Sequence, residues 1–328
     1  MNVEQKILTV EAPRELRIKQ LHELTREELE AKKIITRVTT YTLRFLSEYF
    51  VNKGFEWIMP VILSKSTDPL WPDPDFSLEK RIEVEIYGEA VRTTQSMIVH
   101  KQVLVSLLAP KIFVFSPNIR IERRDRMHTG IHAYEFTQLD FEIRGAQSRD
   151  VRRFVEELLE EYVAFLKSSF SGEQQKLGTI GSLSFSTPFK VVDSRELREK
   201  YGPSWHETLR RELKEPLWVV NIPRQFYDYE DEETGLWDNY DLYVPRVGEI
   251  LSGARREYKY EKIISKMKRD GVSPDNYKVL LSLAREGRLA PSAGAGIGVE
   301  RLLLWVTGVE HIGALQLFPR VPGIVFDL

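Results

Sequence analysis

Residues Lys111 to Gly145 read KIFVFSPNIRIERRDRMHTGIHAYEFTQLDFEIRG. The segment opens apolar and passes through a basic centre holding Arg120, Glu122, Arg123, Arg124 and Arg126. From Tyr134 to Ile143 it alternates. Leu139, Phe141 and Ile143 share one face of the implied strand with Glu135 and Thr137; Tyr134, Phe136, Gln138, Asp140 and Glu142 share the other. The odd face suits a core. The even face carries rings, an amide and carboxylates, an unusual choice for a merely solvated surface. Two strands joined by an arginine-rich loop suit a ligand with phosphates and a flat base. Guanidinium forks match phosphate oxygens, and Phe136 offers a ring to stack on. An ordinary hairpin with a charged tip reads equally well from this segment alone.

The rest of the chain sets bounds on that choice. It has 328 residues, 29% of them charged, and a net charge of -2. That length buries a sizeable core, and that charge does not mark a whole-protein polyanion binder. Cysteine is absent, which removes disulfides, thiolate metal sites and cysteine nucleophiles. No signal peptide or spanning apolar run is visible, so a cytoplasmic protein with no membrane partner is expected.

Taken in order, residues 1–24 read as an N-terminal arm and 25–328 as a single domain. Thr25 to Glu28 (TREE) is a capping-box pattern opening a helix to about Asn52, with Ile34, Val38, Tyr41, Phe45 and Tyr49 as its stripe. Residues 64–80, with Pro69, Pro72 and Pro74, read as a loop. Strands are expected near 55–59, 82–86, 189–192, 217–220 and 237–244. Helices are expected near 97–108, from Ser148 to about Phe165, up to about 214, and over 258–270 and 274–286. The acidic run DYEDEETG (228–235) reads as a solvated loop. Strands outnumber clear βαβ units, so the fold class is α+β: an antiparallel β-sheet flanked by helices.

Three stretches in this order resemble the motifs of class II aminoacyl-tRNA synthetases of the aspartate/asparagine subgroup. They are the long helix with GFEWIMP (54–60), RIER…HAYEFTQLD (120–140), and GAGIGVER (294–301). The resemblance covers roughly residues 30–320. It implies ATP as cosubstrate, with Arg120 on the α-phosphate, Glu122 on the adenine amino group and Phe136 on the ring. It further implies His132 near the terminal phosphates, Arg301 on the γ-phosphate, Gly298 beside the nucleotide, and Asp241 and Glu249 as Mg²⁺ ligands. Arg120, Arg301 and Glu249 would carry the catalytic burden. A homodimer joined through the first motif is implied as well.

For the amino acid, QSMIVHKQ (95–102) resembles the aspartate enzymes' QS-x4-KQ, which implicates Gln95, Ser96 and Lys101. LSGARRE (251–257) resembles the subgroup's loop and implicates Ser252 and Arg256. Asp140 matches the aspartate-type acid, while the frame around 244–257 and 300–310 looks more like the asparagine branch. Two cations recognise a carboxylate far better than an amide. The chain departs from the pattern at Ile119, in a longer loop between Arg120 and Asp140, and in having no room for an anticodon-binding domain before residue 25. It thus resembles the archaeal synthetase-like proteins that lack this module. The expected function is an AMP-forming asparagine synthetase that activates aspartate with ATP and amidates it with free ammonia, with no specific nucleic-acid partner. A truncated synthetase acting on tRNA and a non-catalytic regulatory paralogue are the alternatives.

Overall fold

The computed structural model describes residues 18–69, 78–171 and 178–328. The N-terminal arm up to residue 17, and the loop residues Pro72 and Pro74, lie outside the described residues. Eight strands form one large sheet: β1 (Glu56–Trp57), β2 (Lys111–Ile119), β3 (Glu135–Arg144), β4 (Lys190–Asp193), β5 (Leu217–Val220), β6 (Asn239–Val244), β7 (Gly248–Arg255) and β8 (Ser292–Gly298). Their order is β1-β2-β3-β8-β7-β6-β5-β4. The outer pairs β1/β2 and β4/β5 are parallel and every pair between is antiparallel. The expected helix-flanked antiparallel sheet is what forms.

One face of this sheet rests on three helices, Arg26–Asn52, Ser148–Ser169 and Val299–Thr307. The first begins at the anticipated capping box: Glu28 N–H donates to Thr25 Oγ1 at 3.2 Å, and Thr25 N–H donates to the Glu28 carboxylate at 2.7 Å. Its buried stripe is rotated from the expected one, to Val38, Thr42, Leu46, Tyr49 and Phe50. Tyr41 and Phe45 flank it and pack on Phe165 of the second helix. Thr42 tolerates full burial because its hydroxyl donates to Val38 O and accepts from Tyr162 Oη, at 2.8 and 2.6 Å. Phe50, Phe55, Phe113, Phe141 and Phe154 interlock with ring centroids 4.9–6.2 Å apart. Such a ring cluster supplies much of the burial energy, about 1.5–3 kcal/mol per side chain.

The opposite face is covered too, which the alternating pattern did not reveal. Helices Ile98–Leu107, Tyr260–Arg269 and Lys278–Arg285 build a second apolar cluster with Phe226 and Tyr227. That roof buries the polar side of β3. Asp140 and Glu142 are 1% and 0% exposed.

At the sheet edge, β1 and the segment after it leave Trp57 and Met59 exposed at 56% and 85%, with Ile62 and Leu63 alongside. No helix among the described residues is long and apolar enough to cross a membrane.

Candidate active site

Cross-strand register decides what the polar face can hold. Three successive rows run across the centre of the sheet. Gln138 lies between Ser116 and Gly298, Asp140 between Val114 and Gly296, and Glu142 between Ile112 and Gly294. The glycines of GAGIG therefore sit beside the polar side chains of β3. A Cβ on Gly294 would lie 2.2 Å from Phe141 O and 2.3 Å from Glu142 Oε2; one on Gly296 would lie 2.8 Å from Gln138 Nε2 and 2.9 Å from Asp140 Oδ1. Absence of side chains here makes room for carboxylates and for a ligand above them.

A cleft of about 820 Å³, counted with its open mouth, lies over the Phe136–Gln138 end of this surface. Arg120 enters it just beyond β2. Its Nε and Nη2 donate to Gln95 O at 3.0 and 2.8 Å, and its guanidinium lies 5.3 Å from the Phe136 ring centroid. Arg301, in the first turn after β8, donates to Glu249 O at 2.9 Å and stands 3.8 Å from the Glu249 carboxylate. Its neighbour Glu300 accepts the Thr137 N–H at 3.0 Å, and burial pushes the Glu300 carboxyl up to about 7.

His132 is ringed by cations. Burial, then Arg301, Arg126, Arg210 and Arg120, hold its imidazole well below the usual histidine range. A neutral ring fixes the hydrogen-bond directions: Arg126 Nη1 donates to Nε2 at 3.1 Å, Nδ1–H donates to Thr129 Oγ1 at 2.6 Å, and Thr129 O–H donates to Arg126 O at 2.7 Å. Four guanidiniums converging on a neutral ring form a site for a polyanion.

Beside the cleft lies a buried charge network. Lys101 Nζ donates to Asp140 Oδ1 at 2.7 Å and to Phe141 O and Ala295 O at 3.4 and 3.1 Å. Arg256 is 4% exposed; it donates to Glu142 through Nε at 3.2 Å, to Asp228 through Nη1 at 2.8 Å and to Gly294 O through Nη2 at 3.1 Å. Arg224 donates to Ser252 Oγ and to the Asp241 carboxylate. Burial and the nearby Glu249 push the Asp241 carboxyl up to about 7, against the pull of Arg224. Lys266 pairs with Glu257 at 3.5 Å. Asp140 Oδ2, Asp241 Oδ1 and Gln95 Oε1 are buried with no hydrogen-bond partner among the described residues.

Most residues singled out in the sequence thus meet on one face. Arg120, Glu122, His132, Phe136, Glu249, Gly298 and Arg301 line the cleft. Asp140, Ser252 and Asp241 occupy one cross-strand row, joined through Gly296, which also lines the cleft. Lys101 and Arg256 are tied to neighbouring carboxylates, and Ser96 Oγ accepts the Ile98 N–H at 3.2 Å at the start of the 98–107 helix. Arg126, Arg210, Arg224, Glu142 and Asp228 were not singled out as site residues. The reading of 228–235 as a solvated loop needs correction at its first residue. Asp228 is 1% exposed and neutralises Arg256, whereas 232–235 form an exposed turn. An acidic run reports its mean exposure, not that of the residue anchoring it.

Residues 13–322 match the family described as tRNA synthetases class II (D, K and N). The chain belongs to that family. It is 24% identical over 314 residues to the asparagine–tRNA ligase of Mycoplasma mobile, covering 84% of this chain and 67% of that protein. It is 28% identical over 321 residues to the aspartate–tRNA(Asp/Asn) ligase of Methanopyrus kandleri, covering 91% and 69%. Among solved structures, the Pyrococcus horikoshii asparaginyl-tRNA synthetase complexed with asparaginyl-adenylate superposes with a TM-score of 0.78 at 23% identity, over 91% of this chain and 70% of that one. That likeness gives the fold.

The relatives are ligases named for tRNA, so the expectation of no specific nucleic-acid partner does not stand. It rested on the expected lack of an anticodon-binding domain and on the net charge of -2, which averages over the whole chain and hides the local cluster of arginines at the cleft.

Proposed function

We propose that this protein is an ATP-dependent, AMP-forming ligase that activates aspartate as aspartyl-adenylate. The observation carrying this reading is a cleft with a stacking ring and converging arginines, continuous through Gly296 with a buried row of carboxylates and cations. Phe136 and Glu122 take the adenine, Arg120 the α-phosphate, and Arg301 and His132 the terminal phosphates, with Gly298 beneath the nucleotide. Gln95, Ser96, Lys101, Asp140, Ser252 and Arg256 form the aspartate end. A carboxylate oxygen of aspartate attacks the α-phosphorus and pyrophosphate leaves. The arginines stabilise the charge that accumulates on the phosphoryl oxygens.

Mg²⁺ is the implied companion of ATP, and the donors suit it. Asp241 keeps one orphaned buried oxygen, and Glu249, which lines the cleft, is near enough to raise the Asp241 carboxyl. A few hard oxygens are enough for an ion that keeps waters and takes phosphate oxygens as its other ligands. Asp241 and Glu249 would hold it, and it would neutralise phosphate charge.

Two acceptors of the aspartyl group are in play. The family membership and the tRNA-ligase relatives favour tRNA, whose terminal hydroxyl would displace AMP. Free ammonia, giving asparagine, is favoured by the buried network. There Asp140 Oδ2 and Asp241 Oδ1 are buried with no hydrogen-bond partner among the described residues, acceptors that suit a small cation such as ammonium. The absence of cysteine leaves no thiol to release that nitrogen from glutamine. The pure protein is expected to exchange pyrophosphate into ATP only when aspartate is present. AMP and asparagine formed from ammonium identify the ammonia acceptor, and acid-precipitable aspartyl-tRNA identifies the other. Absence of aspartate-dependent exchange sinks the whole reading.

A homodimer is the proposed assembly. The exposed Trp57 and Met59, next to the edge strand β1 and the long first helix, provide its apolar surface. Light scattering is expected to give twice the chain mass of 38.2 kDa, and Met59→Arg to shift it toward one. A wild-type monomer at micromolar concentration contradicts this.

A further inference from the structure

We propose that Arg210, on the helix Trp205–Glu212, is a further arginine of the terminal-phosphate site and holds, with Arg301, the pyrophosphate that leaves when the carboxylate attacks. This rests on the ATP-dependent reading given above. It adds a residue from outside the strand–loop–strand and the GAGIGVER turn.

Packing fixes the helix that carries Arg210. Trp205 and Leu209, one turn apart, are buried in a cluster with Leu217, Val219 and Tyr243. The Trp205 and Tyr243 ring centroids are 5.6 Å apart, and His206 Nδ1 lies 2.7 Å from Tyr243 Oη. Tyr243 stands on β6 opposite Glu249 on β7. The helix is therefore docked on the strand pair that brings Glu249 to the cleft.

The turn between those strands anchors two arginines. Arg210 Nε donates to Arg246 O at 3.0 Å, and Arg301 Nη1 donates to Glu249 O at 2.9 Å. The stem of Arg210 packs on Gly248, where a Cβ would lie 3.5 Å from Arg210 Cβ and Cγ. Arg246 and Gly248 both take positive φ, 71° and 86°. A non-glycine residue adopts that conformation at a cost, and here its carbonyl is the one that holds Arg210.

Charge supplies the second argument. Among the described residues the bond to Arg246 O is the one hydrogen bond of the Arg210 side chain, and no ion pair engages it. Burial, and then the nearby Arg301, hold its guanidinium below the usual arginine range, against the weaker pull of Glu207. Arg210 also depresses His132, more strongly than Arg120 does. Arg301, Glu249 and His132 line the cleft, and Arg210 is half-buried beside them. Its neighbours are thus a cation and a neutral ring, with no acid to balance it. Two Nη groups are left to fork onto oxygens of an anion. Arg120 and Phe136 mark the adenine end, so the anion at Arg210 is the far end of the triphosphate.

The test is calorimetric titration of ATP, pyrophosphate and AMP into wild-type protein, Arg210→Ala, Arg210→Lys and, as a control, the exposed neighbour Arg211→Ala, with aspartate affinity and Tm recorded for each. In Arg210→Ala the affinities for ATP and pyrophosphate are expected to fall roughly tenfold to hundredfold, as for loss of a charge-assisted contact. AMP, which lacks the terminal phosphates, should bind as it does to wild type, and so should aspartate. Arg210→Lys should recover part of the loss by restoring charge without the fork. Arg211→Ala should match wild type. ATP and pyrophosphate affinities within about twofold of wild type in Arg210→Ala overturn the assignment while leaving aspartate activation standing. An equal loss for AMP also overturns it, because the effect would then be on the cleft as a whole. Wild-type protein that binds neither ATP nor pyrophosphate overturns both this assignment and the reading beneath it.

Discussion

Arg301→Ala is expected to lower aspartate-dependent ATP–pyrophosphate exchange about a thousandfold, the loss typical of deleting a preorganised charge aimed at a developing anion. Two consequences of the substitution act together. A guanidinium is withdrawn from the cluster with Arg120, Arg126 and Arg210 around His132. Its anchors at Glu249 O and Ile131 O, 2.9 and 3.3 Å away, lose their donor as well. Aspartate binding measured without nucleotide should stay within a few-fold, because Arg301 does not reach the Asp140–Asp241 row. Arg301→Lys should recover part of the rate by restoring charge without the fork. An Arg301→Ala protein that retains a tenth or more of the wild-type exchange rate removes this residue from the phosphate site.

The strand–loop–strand around Arg120 was legible because it obeys a local rule. A period of two over Tyr134–Ile143 places alternate residues on opposite faces, and the sheet has them there. GAGIG carried a further message that spacing alone did not disclose. Its glycines are spaced to lie opposite Gln138, Asp140 and Glu142, a fact fixed only by the β3/β8 register. Long-range pairing of that kind joins segments some 150 residues apart, and no local period encodes it. The same limit explains Arg224 and Asp228. Arg224 sits in an irregular stretch after β5 and Asp228 in a single-residue bridge to Arg256, and their roles come from Asp241, Ser252 and Arg256 on other segments. The 98–107, 260–269 and 278–285 helices roof the polar face, so a face whose composition was already unusual for a solvated surface becomes a buried ionic layer.

That layer makes Arg256 the position where removing one charge should hurt stability most. Arg256→Ala leaves Glu142, fully buried, with the Lys101 ammonium 3.9 Å away and the Ser292 hydroxyl at 2.9 Å, and leaves Asp228 without its guanidinium. Burial already raises the Asp228 carboxyl above its usual range, and Arg256 is the strongest opposing influence. Deleting one partner of a buried ion pair costs about 3–5 kcal/mol, because an uncompensated charge stays in a medium of low dielectric. Denaturant unfolding should register that loss as a lower midpoint. Adding Asp228→Asn to Arg256→Ala removes one stranded charge and should recover part of the stability, on the order of 1–3 kcal/mol. Arg256→Ala should also weaken aspartate binding, because it withdraws a guanidinium from the aspartate end of the site, and Asp228→Asn should not restore it. Aspartate binding that recovers in the double variant would mean instead that Arg256 acts only by neutralising Asp228. A single variant that unfolds within 1 kcal/mol of wild type would mean that the buried acids are neutralised by some other route, by protonation or by water.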